Sequence, residues 1–207
     1  MKIENAEYRS IEAAVSVELK EESKHIVGRG ITFNEWSNVM YDKESVGNHL
    51  FREMILPEAV SDELLRGDIK SFAYHERSGS HLLGRTSSGT MTVSKRQDGV
   101  YYAVQTPETN IGRDAYAQAE RGDLKGSSFI FLTDYKDRNK VEIDYSKTPV
   151  EVKIRKIDRI ISMDPVVDPA YSRSEVSARS ISVIEQYSQE LKRKDDYIKK
   201  LEEYKTI

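Results

Sequence analysis

Apolar and polar residues alternate through much of the chain, and each alternating run predicts a half-buried strand. Ala13, Val15, Val17 and Leu19 fall on one face, with Ser16 and Glu18 between them. After a polar break at Glu21-Glu22-Ser23, a second strand runs from His25 to Phe33, so the two are expected to pair antiparallel. Asn34, Ser37, Asn38 and Gly47 mark residues 34–50 as a loop. Phe51 to Pro57 reads as a strand ended by proline. Glu58 to Gly67 reads as a short helix, with Pro57 at its start, Leu64 and Leu65 on its apolar side and Gly67 at its end. Ile69 to His75 is a strand that enters a polar loop, Glu76 to Ser80.

The strongest hairpin signal is Asp98-Gly99, flanked by Thr90, Thr92, Val100, Tyr102 and Val104. It predicts strands over Gly84 to Val93 and Val100 to Gln105. Asn110 to Arg121, with Ala115, Ala117 and Ala119 at its centre, predicts a helix, and Ser127 to Thr133 a strand. Tyr135 to Thr148 is charged and reads as a hairpin or loop. Alternation resumes over residues 150–161, and Asp164 to Ala170, with two prolines, is turn-rich. From Ser180 the pattern changes. Ile184, Tyr187, Leu191, Ile198 and Leu201 recur at coiled-coil spacing beneath a coat of Lys, Arg and Glu. The expected layout is an α+β, β-rich domain over residues 1–179 with a few helices, then a charged amphipathic helical tail over 180–207.

Composition narrows the function classes. The formal net charge of -3 supplies no global basic field for nucleic acid. Zero cysteines remove disulfides, thiolate nucleophiles and Cys-based zinc sites together, in keeping with a reducing compartment. The first residues lack the apolar core of a signal peptide, and no run approaches the ~18 apolar residues of a membrane helix. These features predict a cytoplasmic protein. His75 and His81 are not at i, i+4 spacing, and Gly28 and Gly30 lack the context of a phosphate loop, so neither a metal nor a cofactor is expected.

The chemistry that remains is nucleophilic. Ser127 and Ser128 stand between Gly126 and the apolar run Phe129-Ile130-Phe131, at the start of a predicted strand. Either hydroxyl needs a base, and imidazole, with an unperturbed pKa of about 6.5, is suited to take its proton. Of the four histidines, His75 lies at a strand end, and His81 competes from the following loop.

Several motifs occur in a fixed order: Phe51-Arg52-Glu53-x-Ile55-x-Pro57-x-Ala59, His75, Leu83-Gly84-Arg85, Asp98-Gly99, Gly112-Arg113-Asp114-Ala115, Gly122-Asp123-Leu124-x-Gly126-x-Ser128-Phe129 and Pro169-Ala170-Tyr171. Taken together, over about residues 8–178, they resemble the prohead (procapsid) maturation proteases of tailed phages. That family resembles the herpesvirus assembly proteases, so the resemblance implies a β-barrel surrounded by a few helices. It implies cleavage of capsid and scaffold proteins, and of the protease itself, inside the assembling procapsid in the host cytoplasm. The tail matches a scaffold-like or removable extension, its helix is a candidate surface for self-association, and no nucleic-acid or membrane partner is implied. The alternative is a catalytically degenerate capsid scaffold or assembly chaperone.

The resemblance makes Ser128 the nucleophile, with Ser127 at a variable position, and His75 the general base. The third member is less direct. Where the family carries a glutamate before Pro-Ala, this chain has Ser162. Asp164, two residues on, would share that face of an extended strand and orient the histidine. Asp158 and Asp168 are the fallbacks, and a role for Asp164 in capping the turn before Pro165 competes. Backbone N–H groups of Ser128 and Phe129, with Arg155 or Arg159, are candidate oxyanion donors. Gly84-Arg85 and Gly112-Arg113-Asp114 are read as structural, through close backbone approach and Arg–Asp pairing.

Overall fold

The computed structural model describes residues 6–11, 16–20, 23–42, 46 and 49–168. Strands β1 (Ala6–Ile11), β2 (Ser16–Lys20), β3 (Ser23–Thr32), β4 (Met40–Asp42) and β5 (His49–Ile55) come first. A 3-10 turn at Pro57–Ala59 and the one-turn helix α1 (Asp62–Leu65) follow. Then come β6 (Lys70–Phe72), β7 (Leu82–Arg85), β8 (Met91–Arg96), β9 (Gly99–Gln105) and helix α2 (Asn110–Arg121). The last strands are β10 (Gly126–Leu132), β11 (Val141–Asp144), β12 (Val150–Ile154) and β13 (Arg159–Val166).

These strands form three sheets, ordered β1-β10-β13-β6-β7, β2-β3-β9-β8 and β11-β12-β5-β4. Pairing is antiparallel except between β12 and β5 and between β13 and β6. Among the described residues these pairings close no barrel. The architecture is α+β and β-rich. The tail and the boundary expected near residue 179 lie outside the described residues.

Burial follows sheet position. The strands β5 and β12 alternate buried and part-exposed positions, as a sheet with one covered face requires. By contrast, β10 and β13 are buried along nearly their whole lengths, so both their faces are covered. One cover is the β3–β9 sheet. A Cβ on Gly30 would stand 2.5 Å from Met163 Sδ, and one on Gly28 would stand 2.7 Å from Ser127 Oγ. These two glycines let β3 lie against β10 and β13 at a distance no side chain permits.

Helix α2 forms where predicted because both ends are specified. The Thr109 hydroxyl accepts from the Gly112 N–H, and Gly122 takes a left-handed φ of 80°, letting the Asp123 N–H reach Gln118 O. Its Ala115, Tyr116 and Ala119 face the core.

Four readings of the pattern change. The helix expected over 58–67 breaks into the 3-10 turn and α1, because fully buried Val60 is extended and Ser61 caps a new turn at the Leu64 N–H. The strand expected over 84–93 divides at Thr86–Ser88, where Gly89 turns the chain at φ 73°. The expected loop over 34–50 contains β4 and the start of β5, joined through Met40 opposite Phe51 and Tyr41 opposite Leu50. The run over 150–161 is two strands, parted where the Arg155 N–H turns to Lys140 O and the Asp158 N–H to Leu132 O.

The segment that matters most to the site is Asp164 to Val166, which is strand rather than turn. Pro165 is tolerated there because β6 pairs with β13 only at Ser162, leaving the proline in a stretch partnered on one edge.

Candidate active site

Period-two alternation on β10 sorts the two serines. Ser127 faces the β3–β9 sheet, where its hydroxyl shares a hydrogen bond of 3.0 Å with the Tyr102 hydroxyl. Ser128 points to the opposite face. Directly across the ladder from Ser128 stands Asp164 of β13, so their side chains emerge on the same side. Ser162, two residues before Asp164, shares that side as well. All three are fully buried.

The histidine arrives from a third element. The chain leaves β6 after Phe72 and turns sharply, with Tyr74 and His75 both left-handed at φ 57° and 62°. Each such non-glycine residue costs about 1–2 kcal/mol, and the surroundings hold the strain in place. The Phe72 N–H donates to Asp164 Oδ1 at 2.8 Å. Ala73 is fully buried, and the Glu76 N–H closes the turn on Ala73 O at 3.1 Å. The Tyr74 hydroxyl bonds Gln118 of α2, while its burial and the Asp114 charge hold its pKa above the ordinary tyrosine value.

This turn sets His75 between the two strands. Its Nδ1 lies 2.5 Å from Asp164 Oδ2, and its Nε2 lies 3.3 Å from Ser128 Oγ. A carboxylate only accepts, so Nδ1 carries the proton and Nε2 is left as the acceptor facing the serine. Asp164 thus receives three hydrogen bonds: the Phe72 N–H on Oδ1, and His75 and Ser162 on Oδ2, the last at 2.8 Å. Together these three donors fix the orientation of the carboxylate. The arrangement is suited to moving a proton from Ser128 to His75 while Asp164 balances the imidazolium. The His75 side chain is only 18% exposed, so Ser128 is closed over in this structure.

The competing residues lie elsewhere. His81 bonds the Ser78 hydroxyl at 2.7 Å within its own loop. Asp158 holds Lys140 with both oxygens at 2.8 Å, and Asp168 is exposed beyond the end of β13. Arg155 pairs with Glu142 and Glu58. Arg159 stands opposite Leu132, four residues along β10 from Ser128, which is about 13 Å. The N–H groups of Ser128 and Phe129 belong to a strand paired on both edges, by β1 and by β13. Oxyanion donors on β10 would therefore have to be released from those ladders.

The two glycine-arginine motifs divide. A Cβ on Gly84 would meet Val104 at 2.6 Å, and Arg85 grips Asp68 through Nε at 3.0 Å and through Nη2. Arg85, then Lys70, hold the Asp68 carboxyl well below the usual carboxylate range. A Cβ on Gly112 would fall 2.1 Å from Pro107 O, confirming the close approach there. The Arg–Asp pairing expected of this second motif does not form: Arg113 bonds Asn110 Oδ1 at 2.6 Å and Glu108 O at 2.8 Å, while the charge of Asp114 bears on Tyr74.

Sequence reasoning missed the supports, namely the Phe72 amide, the strained Tyr74 and the Ser162 hydroxyl. Only Ser162 carried a signal, its i, i+2 relation to Asp164. Among the described residues no group of three His, Asp or Glu could hold a metal ion, and no helix is long and apolar enough to cross a membrane.

The family model for caudovirus prohead serine proteases matches residues 12–190. No curated protein and no solved structure matches the chain.

Proposed function

Because the chain belongs to the caudovirus prohead serine proteases, a family of serine peptidases acting in phage capsid maturation, we propose that Ser128, His75 and Asp164 are its catalytic triad. The observation that carries this reading is the continuous relay from Asp164 Oδ2 through His75 to Ser128 Oγ, drawn from three elements distant in sequence. Ser128 attacks a peptide carbonyl as His75 Nε2 takes its proton. His75 then protonates the leaving amine, and water hydrolyses the acyl-enzyme by the reverse path. Since Ser128 is buried, a substrate chain gains access only when its cover opens.

The substrates we propose are the capsid and scaffold proteins enclosed with the protease in the assembling procapsid, and the protease chain itself. Confinement in a closed shell raises the local concentration of both. We also read the sheets as parts of a herpesvirus-protease-like barrel. The isolated bridges from Phe33 to Ile55 and from Trp36 to Met54 support this, since they carry pairing from the end of β3 toward β5.

Co-expression with the cognate major capsid protein tests the reading. Wild type is expected to shorten the capsid protein, and Ser128→Ala to leave it full length. Equal shortening by both would refute the triad. Capsid protein bound but uncut by both would favour the scaffold alternative.

A further inference from the structure

We propose that Ser162 is a positioning residue of the protease, holding the Asp164 carboxylate in the orientation that keeps His75 aimed at Ser128. The inference rests on the triad reading above and adds to it.

Geometry makes the case. Asp164 has one rotatable carboxylate to aim, and two donors besides His75 define its plane. The Phe72 N–H reaches Oδ1 at 2.8 Å and the Ser162 hydroxyl reaches Oδ2 at 2.8 Å. Oδ2 is also the oxygen that accepts from His75. Ser162 therefore acts on the atom in contact with the histidine. Its own placement is firm: it is fully buried, paired with Ile130 on β10 and with Lys70 on β6. The shift in register between β10 and β13 begins immediately beyond it, at Ile130/Phe131. The regular pairing on the near side of that shift keeps Ser162 and Asp164 on one face, beneath His75.

If Ser162 were only a strand residue, removing its hydroxyl would change the amount of folded protein and little else. If it positions Asp164, the loss falls on turnover. The test compares full-length wild type, Ser162→Ala and Ser162→Thr in hydrolysis of p-nitrophenyl acetate, with rates normalised to titrated active sites. Ser162→Ala is expected to lower kcat about tenfold with KM within twofold, and Ser162→Thr, which keeps the hydroxyl, to stay within threefold of wild type. An unchanged kcat in Ser162→Ala, or an equal loss in Ser162→Thr, overturns the assignment.

The low-field proton resonance of His75 Nδ1–H gives a second readout that needs no turnover. It is expected to move or broaden in Ser162→Ala, and an unaltered resonance also overturns the proposal. Asp164→Asn and Ser128→Ala separate the two claims. If both hydrolyse the ester like wild type, the triad fails. If both are inactive while Ser162→Ala matches wild type, only the role of Ser162 fails.

Discussion

Replacing Asp164 by asparagine preserves shape and removes one acceptor, and the three donors around it decide the result. In the wild type the Phe72 N–H occupies Oδ1, and His75 with Ser162 occupies Oδ2. Asparagine offers one oxygen and one NH2. With the oxygen toward His75, the NH2 confronts the Phe72 N–H, and a buried donor is left unpaired at a cost of about 1–3 kcal/mol. With the oxygen toward Phe72, the NH2 faces His75 and Ser162. The serine hydroxyl rotates to accept, and His75 moves its proton to Nε2 so that Nδ1 accepts. No hydrogen bond is lost, so this arrangement wins. It points an N–H at Ser128 instead of a lone pair, and the base is disabled. A triad histidine trapped in the wrong tautomer costs about 10⁴ in kcat, or about 5 kcal/mol of barrier. Stability should change little, because the Phe72 N–H keeps its partner and only the rotatable Ser162 and Ser128 hydroxyl protons must find new acceptors. The assay is ester hydrolysis beside a thermal melt. Asp164→Asn with a kcat within tenfold of wild type would refute the reasoning, and so would a comparable loss in Asp158→Asn or Asp168→Asn.

Further outcomes follow from the same contacts. Ser127→Ala should keep its turnover yet lose about 1–3 kcal/mol in urea unfolding, since it strands the buried Tyr102 hydroxyl; loss of turnover at wild-type stability would contradict the sorting of the two serines. Gly30→Ala should destabilise by about 1–3 kcal/mol through collision with Met163, and Met163→Ala in the same chain should return part of that, a coupling read by a double-mutant cycle. Because the folded Asp68 carboxyl lies below its unfolded value near 3.9, its stabilisation is present above that pH and lost as pH falls through the folded value. Asp68→Asn should therefore lower stability at pH 7 by about 1 kcal/mol and narrow its gap to wild type as the pH is taken well below 4; a gap that does not narrow would refute the Arg85–Asp68 account.

Local signals found the elements whose boundaries are set locally. The β8–β9 hairpin forms where Asp98-Gly99 predicted one, although its turn residues are Gln97 and Asp98 and Gly99 already pairs with Arg96, and Thr109 and Gly122 bound α2. The same logic misplaced Asp164 to Val166 in a turn, because Pro165 normally marks a break and its tolerance depends on where β6 stops pairing. Motif order singled out Ser128 and His75. The period-two rule then separated Ser128 from Ser127 once Tyr102 was seen behind the sheet. What holds His75 was illegible in sequence, since two left-handed non-glycine residues arise only where tertiary contacts over-determine them. Whether Asp158, Asp164 or Asp168 stood beside His75 depended on the β10–β13 register, a long-range property that no spacing encodes.

The most direct test of the account is treatment of the full-length protein with diisopropyl fluorophosphate, followed by fragment mass spectrometry of the peptide containing Ser127 and Ser128. The account predicts one phosphoryl adduct, on Ser128, that is absent from His75→Ala. An adduct on Ser127, or none on either serine, would contradict it.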